Sequence, residues 1–258
     1  MNRWPTYWTA FRTILIKEVL RFARIWVQTL LPPAITMTLY FVIFGKLIGE
    51  QIGEMDGFKY IDFIVPGLIL MSVISHSYAN VVSSFYSSKF QRHVEELLIA
   101  PVPNWVILAG YVGGGVARGV SVGIVVTVVS QFFTDISVHS YGVTLLVFVV
   151  TSVLFATAGF INAVYANSFD DISIVPTFVL TPLTYLGGVF YSISMLPEFW
   201  QGVSLANPVL YMINAFRFGL LGVSDIPLTV AFGLIGVFTI LLVSFALWLL
   251  NRGVGIKS

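Results

Sequence analysis

Six stretches of this sequence, each longer than 20 residues, carry no charged side chain or a single one. They are 25–45, 63–88, 104–134, 136–169, 172–197 and 227–251, and the single charge is Arg118. A helix needs about 20 apolar residues to cross a bilayer core of about 30 Å. The pattern therefore predicts an all-α integral membrane protein with six transmembrane helices.

Composition excludes the soluble alternative. Only 10% of the 258 residues are charged and 57% are hydrophobic, whereas soluble domains carry about 25% charged residues. So few charges cannot cover the surface of a water-soluble globule. We expect a single transmembrane domain, residues 1–258, whose spans are 25–45, 63–86, 105–132, 141–165, 172–191 and 229–250.

The positions of the cations predict the orientation. Cytoplasmic connections of membrane proteins are enriched in lysine and arginine. Nine such residues fall before the first span, between spans two and three, or in the tail, and three fall in the opposite connections. The nine are Arg3, Arg12, Lys17, Arg21, Arg24, Lys89, Arg92, Arg252 and Lys257, and the three are Lys46, Lys59 and Arg217. Both termini are therefore predicted to be cytoplasmic.

Residues 4–24, before the first span, mix aromatic and cationic side chains. Trp4, Trp8, Phe11, Leu15 and Phe22 recur at helical spacing. The cations fall mostly elsewhere on the helix, which is typical of an amphipathic helix at the membrane interface. Two roles stay open: a membrane-surface leader, or a helix that docks a cytoplasmic partner.

Segment 89–100, between spans two and three, is predicted to form a second amphipathic helix. It ends sharply at Pro101 and Pro103. The segment either lies flat and offers its charges to a partner, or is a surface loop with a weak Arg92–Glu96 pair. Its apolar positions are Phe90, Val94, Leu97 and Leu98, and its charged positions are Lys89, Arg92, His93, Glu95 and Glu96.

The connection between spans five and six is long, aromatic and punctuated by prolines. Within it, 197–220 is predicted to form two half-helices that dip into the outer leaflet. Re-entrant backbone is tolerated only against protein or a cavity. This element is therefore expected over the mouth of any pathway.

Two features inside the predicted spans concern packing and gating. Gly115, Gly119 and Gly123 repeat every four residues, the pattern of close helix packing. Pro176 and Pro182 break the fifth span, either as a gating hinge or as a static kink.

Arg118 is the one charge well inside a predicted span. Such a residue faces the interior of the bundle and needs a partner. The functional interpretation is that it attracts an anionic substrate or lipid headgroup. The structural interpretation is that it pairs with Asp170 or Asp171, or reaches the cytoplasmic surface.

Catalytic motifs are missing from the sequence. It contains no phosphate-binding loop of the G-x-x-x-x-G-K-[ST] type, no metal-ligand spacing among its three histidines, no nucleophile elbow and no cysteine. We therefore expect no enzyme activity and no cofactor in this chain. A net charge of +1 predicts no nucleic-acid partner.

Three stretches together resemble the permease subunits of type-2 ATP-binding-cassette transporters. They are Glu-Glu-Leu-Leu with Pro-Val-Pro within 90–103, the Pro- and Gly-containing segment 169–191, and Asn-Pro-x-x-Tyr within 207–217. The resemblance covers nearly the whole chain. It implies a multi-pass protein of the bacterial inner membrane that works as an exporter.

The resemblance also implies partners and residue roles. Two permease copies forming a homodimer, or two related permeases, would form the transmembrane unit, and each would dock a cytoplasmic ATPase that binds ATP and magnesium. Segment 89–100 would be the coupling helix. The ATPase would contact Lys89, Arg92, His93, Glu95 and Glu96, and also Arg12 and Lys17. Pathway and gating candidates are Arg118, Pro176, Pro182, Asn207, Pro208 and Tyr211.

Two rival functions remain open. An ion-coupled secondary transporter would need carboxylates in mid-span and inverted repeats, and neither is evident in the sequence. An energy-independent channel or scaffold is compatible with the spans, but it gives no role to segment 90–103.

Overall fold

The computed structural model describes residues 3–135 and 137–255, with the side chain of Leu98 left out. Lys257, counted above among the cations, lies outside these residues. The described chain is almost entirely helical, as the sequence predicts. Its α-helices are α1 (Trp4–Ala23), α2 (Trp26–Tyr40), α3 (Gly49–Ile52), α4 (Tyr60–Phe90), α5 (His93–Ile99), α6 (Asn104–Ser130), α7 (Tyr141–Tyr165), α8 (Asp171–Val175), α9 (Thr181–Tyr185), α10 (Glu198–Leu205), α11 (Pro208–Leu221) and α12 (Leu228–Arg252).

Among the described residues, five helices are long and apolar enough to cross a membrane. They match five of the six predicted spans. They are Trp26–Ile52, which runs from α2 through a π-helical segment (Phe41–Ile48) into α3, and then α4, α6, α7 and α12.

The predicted fifth span, 172–191, differs from the helix that forms there. Three five-residue segments, α8, the π-helical Pro176–Leu180 and α9, give a helix over 171–185. At about 1.5 Å per residue it measures about 22 Å, short of the roughly 30 Å of a bilayer core. The six-span arrangement therefore stays a prediction.

The two prolines explain the break in this helix. Pro182 has no N–H to donate to the carbonyl four residues earlier, so the α-helical ladder cannot continue through it. The backbone widens into the π turn just before it. The Pro176 carbonyl accepts from the Thr181 main-chain N–H and also from the Thr181 hydroxyl, at 2.9 Å.

Helix α4 forms the centre of the bundle. It packs against α6, α7 and α11, and most of its residues from Phe63 to Ser88 are buried. By contrast, α2 and α12 turn most of their apolar side chains outward. An apolar outer surface around a buried core is what a bundle in lipid requires.

A small hairpin precedes α4, which the all-α prediction did not include. Strands β1 (Glu54–Met55) and β2 (Phe58–Lys59) pair antiparallel, with Met55 opposite Phe58. Asp56 and Gly57 between them have φ of 51° and 80°. Two left-handed central residues define the tight hairpin turn that Asp-Gly favours, so this dipeptide carried the missed signal.

Candidate functional site

Helix α5 is a short helix at one end of the bundle. It follows α4 after Gln91 and Arg92, and Arg92 adopts a left-handed φ of 61°. Val94 is buried, whereas the four charged or imidazole side chains of this helix and its cap are exposed. The exposed side chains are Arg92, His93, Glu95 and Glu96.

The free charges of α5 are available to a partner. No Arg92–Glu96 ion pair occurs in the part of the chain that the structure describes. Beside these charges lie three exposed apolar side chains, Phe90, Ile99 and Phe169, and Ile99 is 85% exposed. The Phe169 ring packs edge-on against Phe90 at 5.4 Å between centroids. An exposed apolar patch rimmed by charge is typical of a protein contact surface.

Lys89 does not belong to this exposed face, although the sequence placed it there. Its Nζ donates to the main-chain carbonyls of Val164 and Ala166, at 2.6 and 2.8 Å. These carbonyls end α7 and have no partner within that helix. Lys89 therefore holds the ends of α4 and α7 together.

The predicted helix 4–24 exists as α1 and packs lengthwise on α6. The Tyr7 and Trp105 rings meet edge-on at 6.3 Å between centroids. Farther along, Ile14 covers Gly110, where a Cβ would come 2.6 Å from its Cγ2. Helix α1 thus begins at the α5 end of the bundle. Arg12 and Lys17 are exposed; the membrane-interface location of α1 stays a prediction.

A buried carboxylate in α1 was not singled out from the sequence. Glu18 is fully buried, and its Oε1 accepts from the Ser84 hydroxyl of α4 at 2.6 Å. Arg21 approaches the other oxygen at 3.4 Å and donates to the carbonyl and side-chain oxygens of Asn80. The sequence did contain a signal for this burial, because Glu18 lies four residues from both Ile14 and Phe22 and therefore falls on the apolar face of the helix.

The three glycines predicted to pack lie where α6 meets α4 and α7. A Cβ on Gly115 would lie 2.5 Å from Val81 and 2.8 Å from Ala156. A Cβ on Gly119 would overlap the Ser77 hydroxyl, and one on Gly123 would overlap the Phe148 ring. Only glycine allows helices to approach this closely.

Arg118 does not form the ion pair that was one of the alternatives left open by the sequence. Among the described residues it pairs with neither Asp170 nor Asp171. The Asp171 carboxylate instead accepts from the main-chain N–H groups of Asn167 at 2.8 Å and Ser168 at 3.1 Å. Those bonds within its own loop, the Asn167 one foremost, lower the pKa of the carboxyl. The Nε of Arg118 has no hydrogen-bond partner.

The remaining gating candidates occupy capping positions in the segment predicted to be re-entrant. Asn207 is the N-cap of α11 and accepts from the Val209 N–H at 2.9 Å, and Pro208 is the first helical residue. The Tyr211 hydroxyl donates to the Leu205 carbonyl at 2.7 Å. These contacts join two short helices, α10 and α11, whose bounds lie close to the predicted 197–220. Their position in the outer leaflet stays a prediction.

Arg217, which the sequence analysis used only for orientation, is buried in this region. Its guanidinium lies 3.8 Å from the centroid of the Phe63 ring, and Nη2 donates to the Gly188 carbonyl at 2.5 Å. Nη1 lies 3.9 Å from the Asp225 carboxylate. Arg217 therefore ties α11 to α4 and to the turn after α9. Within the described residues, no group of three or more acidic or histidine side chains could hold a metal.

Comparison with known proteins identifies relatives along nearly the whole chain. Residues 9–221 match the family model described as "ABC-2 type transporter". The inner membrane transport permease YadH of Escherichia coli K12 is 61% identical over 252 residues, 98% of each chain. Nodulation protein J of Rhizobium leguminosarum bv. viciae is 25% identical over 189 residues, 71% of each chain.

Proposed function

The chain belongs to the ABC-2 type transporter family, and we propose that it exports a substrate using ATP hydrolysed by a separate ATPase subunit. As a family member with transport permeases among its relatives, it is the membrane subunit of an ABC transporter. Its apolar helices and these relatives make it a multi-pass protein of the bacterial inner membrane. The export direction rests on the family resemblance.

The observation that carries the proposal is the placement of α5. This helix exposes Glu95 and Glu96 and follows two residues after α4, the most buried of the five long apolar helices. A displacement of α5 is therefore transmitted to α4, at the centre of the transmembrane bundle. This is what a coupling helix requires, since it must turn movement of an ATPase into movement of the spans.

The charge distribution supports a cytoplasmic position for α5. Helix α1 begins at the same end of the bundle, and its cations Arg12 and Lys17 are exposed farther along it. Lysine and arginine are enriched in cytoplasmic connections. The ATPase would then meet α5 and the first turns of α1 together.

The second part of the proposed transport unit is another copy of the permease. The helix over 171–185 turns Ile174, Phe178 and Tyr185 outward, and Phe178 is 73% exposed. A second copy could cover this apolar face. The π turn at Pro176–Leu180 interrupts the α-helical hydrogen bonds of this helix. The helix could bend there as the two copies move.

The mechanism then follows the chain from α5 outward. Closure of the ATPase dimer on ATP displaces α5 and with it α4. The outer end of α4 is bonded to the re-entrant region through Phe63 and Arg217. Movement of α4 would therefore reach α11, which caps the outer side of the proposed pathway.

Copurification tests this function. The tagged protein is extracted in a mild detergent, and the associated chains are identified by mass spectrometry. We expect a stoichiometric ATPase subunit, which the double substitution Glu95→Lys, Glu96→Lys removes. The matched control is Glu50→Lys, Glu54→Lys, two exposed acids at the opposite end. Purification of the unaltered chain alone, from cells that contain such an ATPase, would contradict the proposal.

A further inference from the structure

A groove opens between α2 and α4 near the middle of the bundle. It has a volume of about 270 Å³. Its α2 wall includes Pro33, Thr36 and Met37, and its α4 wall includes Ser75 and His76. His76 is the seventeenth residue of a 31-residue helix, so the groove lies at mid-membrane depth for any centred position of α4.

The α4 face beside this groove is unusually polar for the middle of a membrane helix. Between Phe63 and Ser88, the residues of α4 that remain uncovered all lie along one stripe. A serine-rich stripe at this depth gains nothing from contact with hydrocarbon tails. The uncovered residues are Met71, Ser75, His76, Ala79, Ser83 and Ser87.

Positive charge accompanies the groove without a compensating anion. Arg118 and His76 lie where α6 and α4 touch, since a Cβ on Gly119, the residue after Arg118, would overlap the hydroxyl of Ser77, the residue after His76. Both Arg118 Nε and His76 Nδ1 are buried without a hydrogen-bond partner. The one buried carboxylate nearby, Glu18, is already bonded to Ser84 and Arg21. An unpaired cation at this depth is costly, and an anion from outside the described chain would lower that cost.

A second copy of this chain is poorly placed to supply that partner. Apart from Glu18, every acidic residue lies at a helix end or in a connection. Asp62 is the third residue of α4, Asp171 the first of α8, and Glu198 the first of α10. Arg118, by contrast, is the fifteenth residue of a 27-residue helix. A ligand that carries its own negative charge fits better.

From this arrangement we propose that the groove binds the anionic head of an amphipathic substrate. The head is a phosphate or carboxylate that pairs with Arg118 and accepts from His76, beside the hydroxyls of the α4 stripe. The hydrocarbon tail lies against the α2 wall of the groove. The apolar side chains of that wall include Pro33 and Met37, which are buried from bulk solvent. This deepens the proposed function, on which it rests for the role of substrate.

The test uses the absence of cysteine from the natural sequence. Ser75→Cys gives the chain one exposed thiol in the groove, and its rate of reaction with a maleimide is measured in neutral detergent, with the bound partner chains retained. The probes are lysophosphatidylglycerol and lysophosphatidylcholine of equal acyl length, and inorganic phosphate. Ser244→Cys, an exposed serine of α12, is the control.

We expect lysophosphatidylglycerol to slow the labelling of Ser75→Cys by about tenfold, equivalent to about 1.4 kcal/mol, with little effect of lysophosphatidylcholine or on Ser244→Cys. Adding Arg118→Gln should abolish the difference, and Arg118→Lys should keep most of it. Equal protection by both lipids would overturn the proposal even if Arg118→Gln fails to fold. Protection by inorganic phosphate alone would overturn the amphiphile and indicate a free-anion site.

The labelling rate measures binding and needs no ATP. Loss of lipid selectivity would thus contradict the proposed substrate class and would not affect the proposed partnership with an ATPase. Failure of the ATPase to copurify would remove the proposed function, whatever the selectivity.

Discussion

The Nζ of Lys89 donates a 2.6 Å hydrogen bond to the main-chain carbonyl of Val164. The bond joins the last turn of α4 to the last turn of α7, immediately before α5 begins. A cation at a helix C-terminus is also favoured by the helix dipole. The base of the proposed coupling helix is thereby fixed to two core helices.

Replacing Lys89 by methionine should destabilise the protein by about 1–2 kcal/mol. The change keeps the length of the side chain but leaves the carbonyls of Val164 and Ala166 without their charged donor. Denaturant titration of the purified protein measures the loss. Arg12→Met, which removes an exposed cation, is the control, and an equal effect of both variants would contradict this role.

The buried Glu18 network predicts a large difference between two serines of α4. Ser84→Ala removes the donor to Glu18 Oε1 and should cost about 1–3 kcal/mol, because the carboxylate has no access to water. Ser87→Ala, nearly one turn farther along and partly exposed, should change stability little. Unfolding curves of the two variants decide the matter; identical stabilities would rule out a stabilising bond.

At Gly159, the contact between α4 and α7 should be sensitive to the addition of a single methyl group. A Cβ there would lie 2.5 Å from the main-chain oxygen of Tyr78, and backbone cannot move aside as a flexible side chain can. Gly159→Ala should destabilise by about 1–3 kcal/mol. Gly236→Ala in α12, with open space around it, should be neutral or stabilise by up to about 1 kcal/mol. A neutral Gly159→Ala would show that the helices are farther apart.

The proposed orientation predicts which thiols face the periplasm. In this cysteine-free sequence, Glu54→Cys should react with a membrane-impermeant maleimide in intact cells. Glu96→Cys should react only after the inner membrane is permeabilised. Both positions are exposed, so access to reagent decides the result. Labelling of Glu96→Cys in intact cells would reverse the orientation.

The positions of the helices were largely predictable because charge spacing reports membrane spans directly. The observed α7 matches the predicted 141–165, and α6 differs from its prediction by two residues at most at either end. The helix at the fifth predicted span ends at Tyr185, before the predicted bound of 191, because an uncharged run does not show where the backbone turns, here at Gly188 with φ of 76°. The Asp-Gly hairpin was missed because two residues per strand leave no alternating pattern.

Side-chain partners were less predictable than helices. Lys89 looked like one more charge of the amphipathic helix, and only the folded chain brings the end of α7 within its reach. Likewise, the sequence offered Asp170 and Asp171 as partners of Arg118 by their sign alone, whereas Asp171 is engaged by its own loop. Such pairings depend on contacts between residues far apart in sequence, which periodicity does not encode.

Site-specific photo-crosslinking tests the central claim most directly. A benzophenone amino acid replaces Glu96. In the control variant it replaces Glu54, at the opposite end of the bundle. Irradiation of membranes should join the ATPase subunit to the chain from position 96 and not from position 54. Capture of the ATPase from position 54 alone, with both variants inserted at normal levels, would contradict the account.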